Sequence, residues 1–269
     1  MIVVTGATGN VGRPLVQALA ESGASVMAVS RKVTELPDGV RHHQADLAEP
    51  HMLEPALDGA EALFLLTSPE FLAGGDLTGV LRAARAANVQ RVVLLSSQGV
   101  ATGRHPSAHE DAVRESGLEW TVLRPSGFFS NAFQWAGSVR ARREIAAPFG
   151  DVALPNIDPA DIAAVAAVVL REAGHGGKSY TLTGPEPISP RQQAEAIAAA
   201  LGVPIRFAEQ TREEARAGML LFMPEPVADV TLDILGTPTP AEQQVGPGVE
   251  NLLGRRPGKF ADWARRAFR

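Results

Sequence analysis

Gly6, Gly9 and Gly12 are spaced G-x-x-G-x-x-G close to the start of the chain. Glycines in this spacing serve a definite chemistry, the approach of bare backbone amides to phosphate oxygens. Gly6 allows a tight turn, Gly9 lets N–H groups come up to a pyrophosphate, and Gly12 permits a helix to pack closely on a strand. Thr8, Asn10 and Val11 complete the set that would face the ligand. The pattern has this meaning only between a strand and a helix. Ile2–Thr5 is a β-branched strand pattern, and Val11, Leu15 and Leu19 recur at i, i+4 and i+8 of a helix. Pro14 is compatible only with a first helical turn, so the helix begins around residues 10–13 with its positive end against the loop. The competing reading is a glycine-rich turn with no ligand.

A second chemical signal follows the second strand. A dinucleotide site for the unphosphorylated cofactor carries an acidic residue about 20 positions after the glycines. Here the chain reads Val29-Ser30-Arg31-Lys32, with no carboxylate before Glu35. Ser30 can donate to a phosphate and Arg31 can grip one with its planar fork. These residues predict NADP(H) in preference to NAD(H), against the alternative that Arg31 and Lys32 are solvated surface charge.

Such residues need a sheet to hold them. Near-continuous apolar runs at Ile2–Thr5, Ser25–Ser30, Val40–Ala45, Ala62–Thr67, Arg91–Ser96 and Trp120–Leu123 read as parallel strands covered on both faces. Helical patterns lie between them, including the stripe Val80, Leu81, Ala84, Ala87. The alternation predicts an α/β, Rossmann-type, doubly wound parallel sheet. Ser107 and Glu110 have the spacing of a capping box, with Gly117 as a stop. Asp158-Pro159 and Ser189-Pro190-Arg191-Gln192 open two later helices. Prolines thicken after Leu123, and we expect a dinucleotide-binding domain over 1–126 with a smaller α/β substrate lobe, 127–269, packed on it as one compact unit. The apolar run Met219–Met223 is compatible with a lid, a dimer contact or simple packing.

The composition narrows the classes. Of 269 residues 45% are hydrophobic and 20% charged, enough for a large core without staples. The chain has no cysteine, which excludes disulfides, thiolate metal sites and cysteine nucleophiles. A net charge of -5 gives no reason to expect nucleic acid or an anionic membrane as partner. No apolar run approaches the ~20 residues of a membrane span. The opening MIVVTGATGN reads as a strand and not as a secretion leader, so a cytoplasmic setting is expected.

Thr5 to Gly12, the Ser30-Arg31 pair, Ala45-Asp46-Leu47, Leu94-Leu95-Ser96-Ser97 and Leu123 to Phe129 together carry a resemblance. The chain resembles atypical short-chain dehydrogenase/reductases and, more narrowly, the NmrA-like group that includes NAD(P)H-dependent quinone, azo-dye and triphenylmethane-dye reductases. The resemblance covers most of the chain and weakens after Gly218. It implies that Asp46 and Leu47 flank an adenine. It also implies that Thr67 and Ser68 line the cofactor after the fourth strand, Ser96 and Ser97 after the fifth, and that Pro125 and Phe128 run past the nicotinamide. Ordinary strand-end hydrogen bonding is the alternative for each of these polar residues.

The chain departs from the resemblance at the proton relay. The usual Tyr-x-x-x-Lys pair is absent: the one tyrosine, Tyr180, is followed four places later by glycine. Thr102 and Pro106 fall where that pair would stand, and Gln98 falls at the usual hydroxyl position. The expected activity is therefore hydride transfer to an acceptor that is already electrophilic, a quinone or a dye. Gln98 and His105 are candidates for the chemistry, and Phe129, Asn131, Phe133 and Trp135 for contact with a small aromatic acceptor; packing within the lobe is the alternative for the aromatic rings. His105 and His109 lack matching carboxylates, and no metal site is expected. The same departure also fits a non-enzymatic NADP(H) sensor acting through a protein partner, or a subunit that merely keeps the fold.

Overall fold

The computed structural model describes residues 1–268 apart from 33, 34, 69, 70, 72 and 73. Seven strands form one sheet: β1 Ile2–Val4, β2 Val26–Ser30, β3 Arg41–Gln44, β4 Ala62–Leu65, β5 Arg91–Leu95, β6 Glu119–Pro125 and β8 Lys178–Leu182. All pairs are parallel, in the order β3-β2-β1-β4-β5-β6-β8. The order reverses between β1 and β4, so a crevice opens at their carboxyl ends, the place where open α/β sheets bind ligands. Strand residues alternate between two apolar layers. Val4, Phe64, Val93 and Leu123 face the helices Gly12–Glu21 and Pro159–Arg171. Val3, Leu63, Leu65, Val92 and Leu94 face Leu57, Leu81 and Val113 on the opposite side.

The expected helix starts are partly corrected. Asp158 caps its helix, accepting from Ala160 N–H at 2.9 Å, and Ser189 with Gln192 forms a reciprocal capping box. Ser107 does not form one with Glu110. Its backbone is already helical, and its hydroxyl donates to Asp111 Oδ2 at 2.6 Å. Glu110 instead turns inward beside Val113, one helical turn along the same buried face.

The segment 159–182 lies beyond the expected boundary at 126/127, yet its helix and strand belong to the larger sheet. The edge strand β8, with the sequence KSYTL, is half-exposed and mostly polar, so it lacks the continuous apolar run that marks the inner strands. A second, two-stranded parallel sheet joins β7 Glu144–Pro148 to β9 Arg206–Gln210. Around it Phe129, Trp135, Ile145, Ile197, Phe260 and Trp263 form the core of the smaller lobe.

The helices Arg212–Met219 and Glu225–Gly236 make a hairpin tied by Arg212–Asp233 and Arg216–Asp229 ion pairs. Its tip leaves Leu221 and Phe222 exposed, so packing within the chain does not use them. Among the described residues no helix is long and apolar enough to cross a membrane.

Candidate active site

The turn after β1 is built as a cradle. Gly6 adopts φ +61°, and its carbonyl accepts from Gly9 N–H at 3.0 Å. A Cβ on Gly12 would lie 2.1 Å from Gly6 O, so the first turn of the helix can sit on the loop only as glycine. The Ala7 N–H is bound to Val29 O and the Arg13 N–H to Gly9 O. Those of Thr8, Asn10, Val11 and Gly12 have no acceptor among the described residues. Four unpaired amides at a helix start form the arrangement that takes a phosphate or pyrophosphate. Thr5 braces it: its hydroxyl accepts from Leu66 N–H at 2.9 Å and contacts the Phe64 and Leu66 carbonyls at 3.1 Å. These residues fit a dinucleotide.

Beyond the cradle, at the ends of β2 and β3, lies a cavity of about 480 Å³ lined by Arg31, Asp46, Leu47, Ser68, Phe71 and Asp76. Asp46 closes a turn by accepting from Ala48 N–H at 3.0 Å. The Ser68 hydroxyl accepts from Phe71 N–H. Arg31, Asp46 and Leu47, expected along the adenosine half, thus meet in one cavity with Ser68, expected to line the cofactor after the fourth strand.

Ser30 is different. It is buried, its Oγ donates to Lys32 O at 2.6 Å, and His42 Nε2 lies 2.9 Å away. Its only proton is committed to the chain, so Ser30 shapes the end of β2 and does not donate to a ligand. Burial of a strand-end hydroxyl is not encoded in the four-residue pattern that drew attention to it.

At the ends of β5 and β6 the expected polar residues separate into two roles. Ser96 Oγ donates to Glu110 Oε1 at 2.6 Å. Glu110, 1% exposed, also accepts from Arg124 Nε at 2.9 Å, and from Arg124 and Arg114 Nη2 at 2.5 Å each. Burial pushes this carboxyl up, but the Arg124, Ser96 and Arg114 hydrogen bonds and the Arg124 charge outweigh burial and hold it below its ordinary 4.5. The cluster ties β5, β6 and helix Ala108–Glu115 together.

Ser97, by contrast, caps the short helix Gln98–Ala101, accepting from Gly99 N–H at 3.0 Å, with His105 Nδ1 at 3.1 Å. Burial pushes His105 down, and the Glu242 charge partly restores it. Thr67 is buried at the end of β4. Ser126 donates to Pro155 O at 2.6 Å and fixes the Pro125–Phe128 strand end, where Phe128 is half-buried and bridges to Ile157.

Gln98 and its neighbours hold the C-terminal segment. Gln98 Nε2 donates to Ala241 O at 3.1 Å, Thr102 Oγ1 to Glu242 Oε1 at 2.9 Å, Arg104 Nε to the same oxygen at 3.2 Å and Arg104 Nη2 to Thr237 O at 2.9 Å. Glu242 was invisible to motif reading, although Thr239 and Glu242 have the spacing of a capping box and form one.

The expected aromatic wall divides. Phe129 and Trp135 are buried in the lobe core, Phe129 edge-on to Phe260 at 5.1 Å, so neither ring offers a face to an acceptor. Phe133 is 45% exposed and Asn131 is exposed. Phe133 lines a separate cavity of about 260 Å³ with Asn10, Ser130, Trp263 and Arg266. Asn10 Nδ2 donates to Ser130 Oγ at 3.2 Å, linking the glycine loop to this lobe. Among the described residues no cluster of three or more His, Asp or Glu could hold a metal. His43 and His109 instead donate to the Met52 and Gly75 carbonyls.

With this geometry in view, comparison with known proteins is decisive at family level. A sequence profile described as NAD(P)H-binding matches residues 6–173, from the first glycine of the cradle to the end of the helix beside it. The chain belongs to the NAD(P)H-binding family. It is 36% identical to (4-alkanoyl-5-oxo-2,5-dihydrofuran-3-yl)methyl phosphate reductase of Streptomyces griseus, over 98% of this chain and 96% of that protein. It is 31% identical to the NAD(P)H azoreductase of Xenophilus azovorans, over 98% and 97%. Its fold is similar to that of the Escherichia coli quinone oxidoreductase QOR2 solved with NADPH, with a TM-score of 0.82, 25% identity and complete coverage of both chains. This NAD(P)H-binding protein is an atypical short-chain dehydrogenase/reductase with a Rossmann-like sheet.

Proposed function

We propose that this chain is an NADPH-dependent reductase that passes hydride to an electron-poor, conjugated acceptor such as a quinone, an azo dye or an activated butenolide. The observation that supports the reading is the cradle of unpaired amides at residues 6–12 in a sequence without a Tyr-x-x-x-Lys motif. Thr102, at the tyrosine position, spends its hydroxyl on Glu242. An acceptor turned over here has to be electrophilic without strong activation by the protein. The names of the relatives agree: one reduces azo compounds, one is a quinone oxidoreductase, and the oxo-dihydrofuran of the third carries a doubly activated double bond. Full-length similarity to named reductases favours an enzyme over the sensor reading.

A bound reduced nicotinamide supplies the hydride. The protein's part is to bind and orient. The amides of Thr8, Asn10, Val11 and Gly12 would take the diphosphate, and Asp46 and Leu47 would border the adenine. Arg31 would take the ribose 2′-phosphate and thereby set the preference for NADP(H). Thr67, Ser97, Pro125 and Phe128 would border the nicotinamide, with Phe133 and Asn131 near the acceptor.

The test is NADPH consumption with a panel of quinones, azo dyes and triphenylmethane dyes, beside direct binding of NADPH and NADH. NADPH is expected to bind several-fold more tightly than NADH, with turnover of at least one class. Tight binding without turnover of any acceptor would favour the sensor.

A further inference from the structure

Resting on the reductase reading, we propose that Ser97 is the proton donor to the reduced acceptor, oriented and resupplied by His105. Ser97 continues the extended backbone of β5 with φ -145° and ψ 149°. Strand alternation then places its side chain opposite to that of Ser96, which is bound to Glu110. Ser97 therefore lies on the side of Leu95, which packs in the same layer as Leu66 and Phe128 under the glycine-loop helix. This is the carboxyl end of a central strand, at the mouth of the cofactor crevice.

The hydrogen-bond inventory of Ser97 fixes what its proton can do. A hydroxyl has one donor and two acceptor sites. One acceptor site is filled by Gly99 N–H, and His105 Nδ1 lies 3.1 Å away. With the proton on Nδ1, His105 fills the second acceptor site. The Ser97 O–H then has no acceptor among the described residues and is left for a ligand.

The ring packs against the short helix. A Cβ on Gly99 would lie 2.5 Å from Nδ1, so the imidazole rests directly on the backbone of the short helix. Glu242, held by Thr102 and Arg104, fixes a negative charge nearby that favours proton entry to the ring. Burial, the larger influence, keeps His105 neutral near pH 7.

The step balances. A quinone that has accepted hydride is a hydroquinone monoanion, reduced by two electrons while the nicotinamide is oxidised by two. Its oxyanion takes the Ser97 hydroxyl proton, Ser97 takes the Nδ1 proton, and water supplies a proton to Nε2. Ser97 ends as a hydroxyl, His105 ends neutral as the other tautomer, and one solvent proton has moved to the product. A cationic triphenylmethane dye needs no such proton, because hydride alone converts the cation to its neutral leuco form.

This difference makes the test. The ratio of quinone turnover to dye turnover is measured for the parent, Ser97→Ala, Ser97→Thr and His105→Gln. The ratio is expected to fall by about 10²-fold in Ser97→Ala, the order of a general-acid contribution. It should fall in His105→Gln as well and be largely restored in Ser97→Thr, which keeps the hydroxyl. A cofactor-binding or folding defect lowers both rates and leaves the ratio alone, and an unchanged ratio overturns the proposal.

A second readout is independent of turnover: ¹⁵N NMR of His105 near pH 7 should show the Nδ1-protonated tautomer. The Nε2-protonated form would consume the Ser97 proton in a bond to Nδ1 and would also overturn it. A parent protein that turns over neither acceptor refutes the reductase reading itself, and this proposal with it.

Discussion

Gly12→Ala is the substitution whose effect follows most directly from the coordinates. Its Cβ would lie 2.1 Å from Gly6 O, 2.8 Å from Gly6 C and 2.9 Å from Ala7 Cα, all backbone atoms with no rotamer to yield. Normal contact is about 3.5 Å, so the helix start and the Gly6–Ala7 segment must separate by about 1 Å or more. That opening breaks the 3.0 Å bond from Gly9 N–H to Gly6 O that closes the turn. It also pulls the amides of residues 8–12 away from any common phosphate.

Hydrogen bonds to a charged group contribute about 1.5–3 kcal/mol each, so losing two weakens NADPH binding by about 10²–10⁴-fold. Overpacking of this kind costs about 1–3 kcal/mol of stability, and each kcal/mol lowers the melting temperature of a chain this size by about 2–4 °C. Fluorescence titration with NADPH and a thermal melt measure the two effects separately. Gly9→Ala is the internal comparison, because its Cβ meets only Gly6 O, at 3.3 Å; its binding loss should be smaller. If Gly12→Ala remains folded and binds NADPH within twofold of the parent, residues 6–12 do not grip the diphosphate.

Other outcomes follow from the polar clusters. Arg31→Ala should weaken NADPH binding by about 10-fold or more and leave NADH little changed, measured as the ratio of the two dissociation constants. Glu110→Ala strands Arg124 and should destabilise the fold by about 3–5 kcal/mol in urea unfolding. Because the folded Glu110 carboxyl is held below its ordinary 4.5, its stabilisation is present above that value and drains away as pH falls further. Glu110→Gln should flatten this acid limb. Asp158 shifts the other way: burial raises it despite the Ala160 amide and Arg266. Asp158→Asn, which keeps a capping oxygen, should cost less than Asp158→Ala, expected at about 0.5–2 kcal/mol by thermal melt.

The inner strands were legible because parallel strands buried on both faces read as apolar runs, and the glycine loop because its spacing lies between a strand and a helix. β8 escaped because an edge strand tolerates the polar sequence Lys-Ser-Tyr-Thr. Ser107 and Glu110 show how one spacing supports two structures. The cap competes with a buried place opposite Arg124, and two arginines outweigh a single backbone amide. Ser30, Phe129 and Trp135 have the right composition for a site but are spent inside the protein, and only tertiary packing decides that. The C-terminal segment was harder to read because its helices are short and Pro/Gly-punctuated, each burying only a few residues, such as Val249 against the larger sheet's layer and Phe260 with Trp263 in the smaller lobe.

Two differently built anchors therefore flank the carboxyl end of β5. On one side a single carboxylate, Glu110, rivets two strands and a helix into one plate. On the other, residues 237–242 are clipped on by side chains of one short helix and its following loop. Thr237 and Ala241 are held through their backbone carbonyls, so their exposed side chains can change without unclipping the strip, whereas Glu242 carries the Thr102 and Arg104 bonds on its own carboxylate.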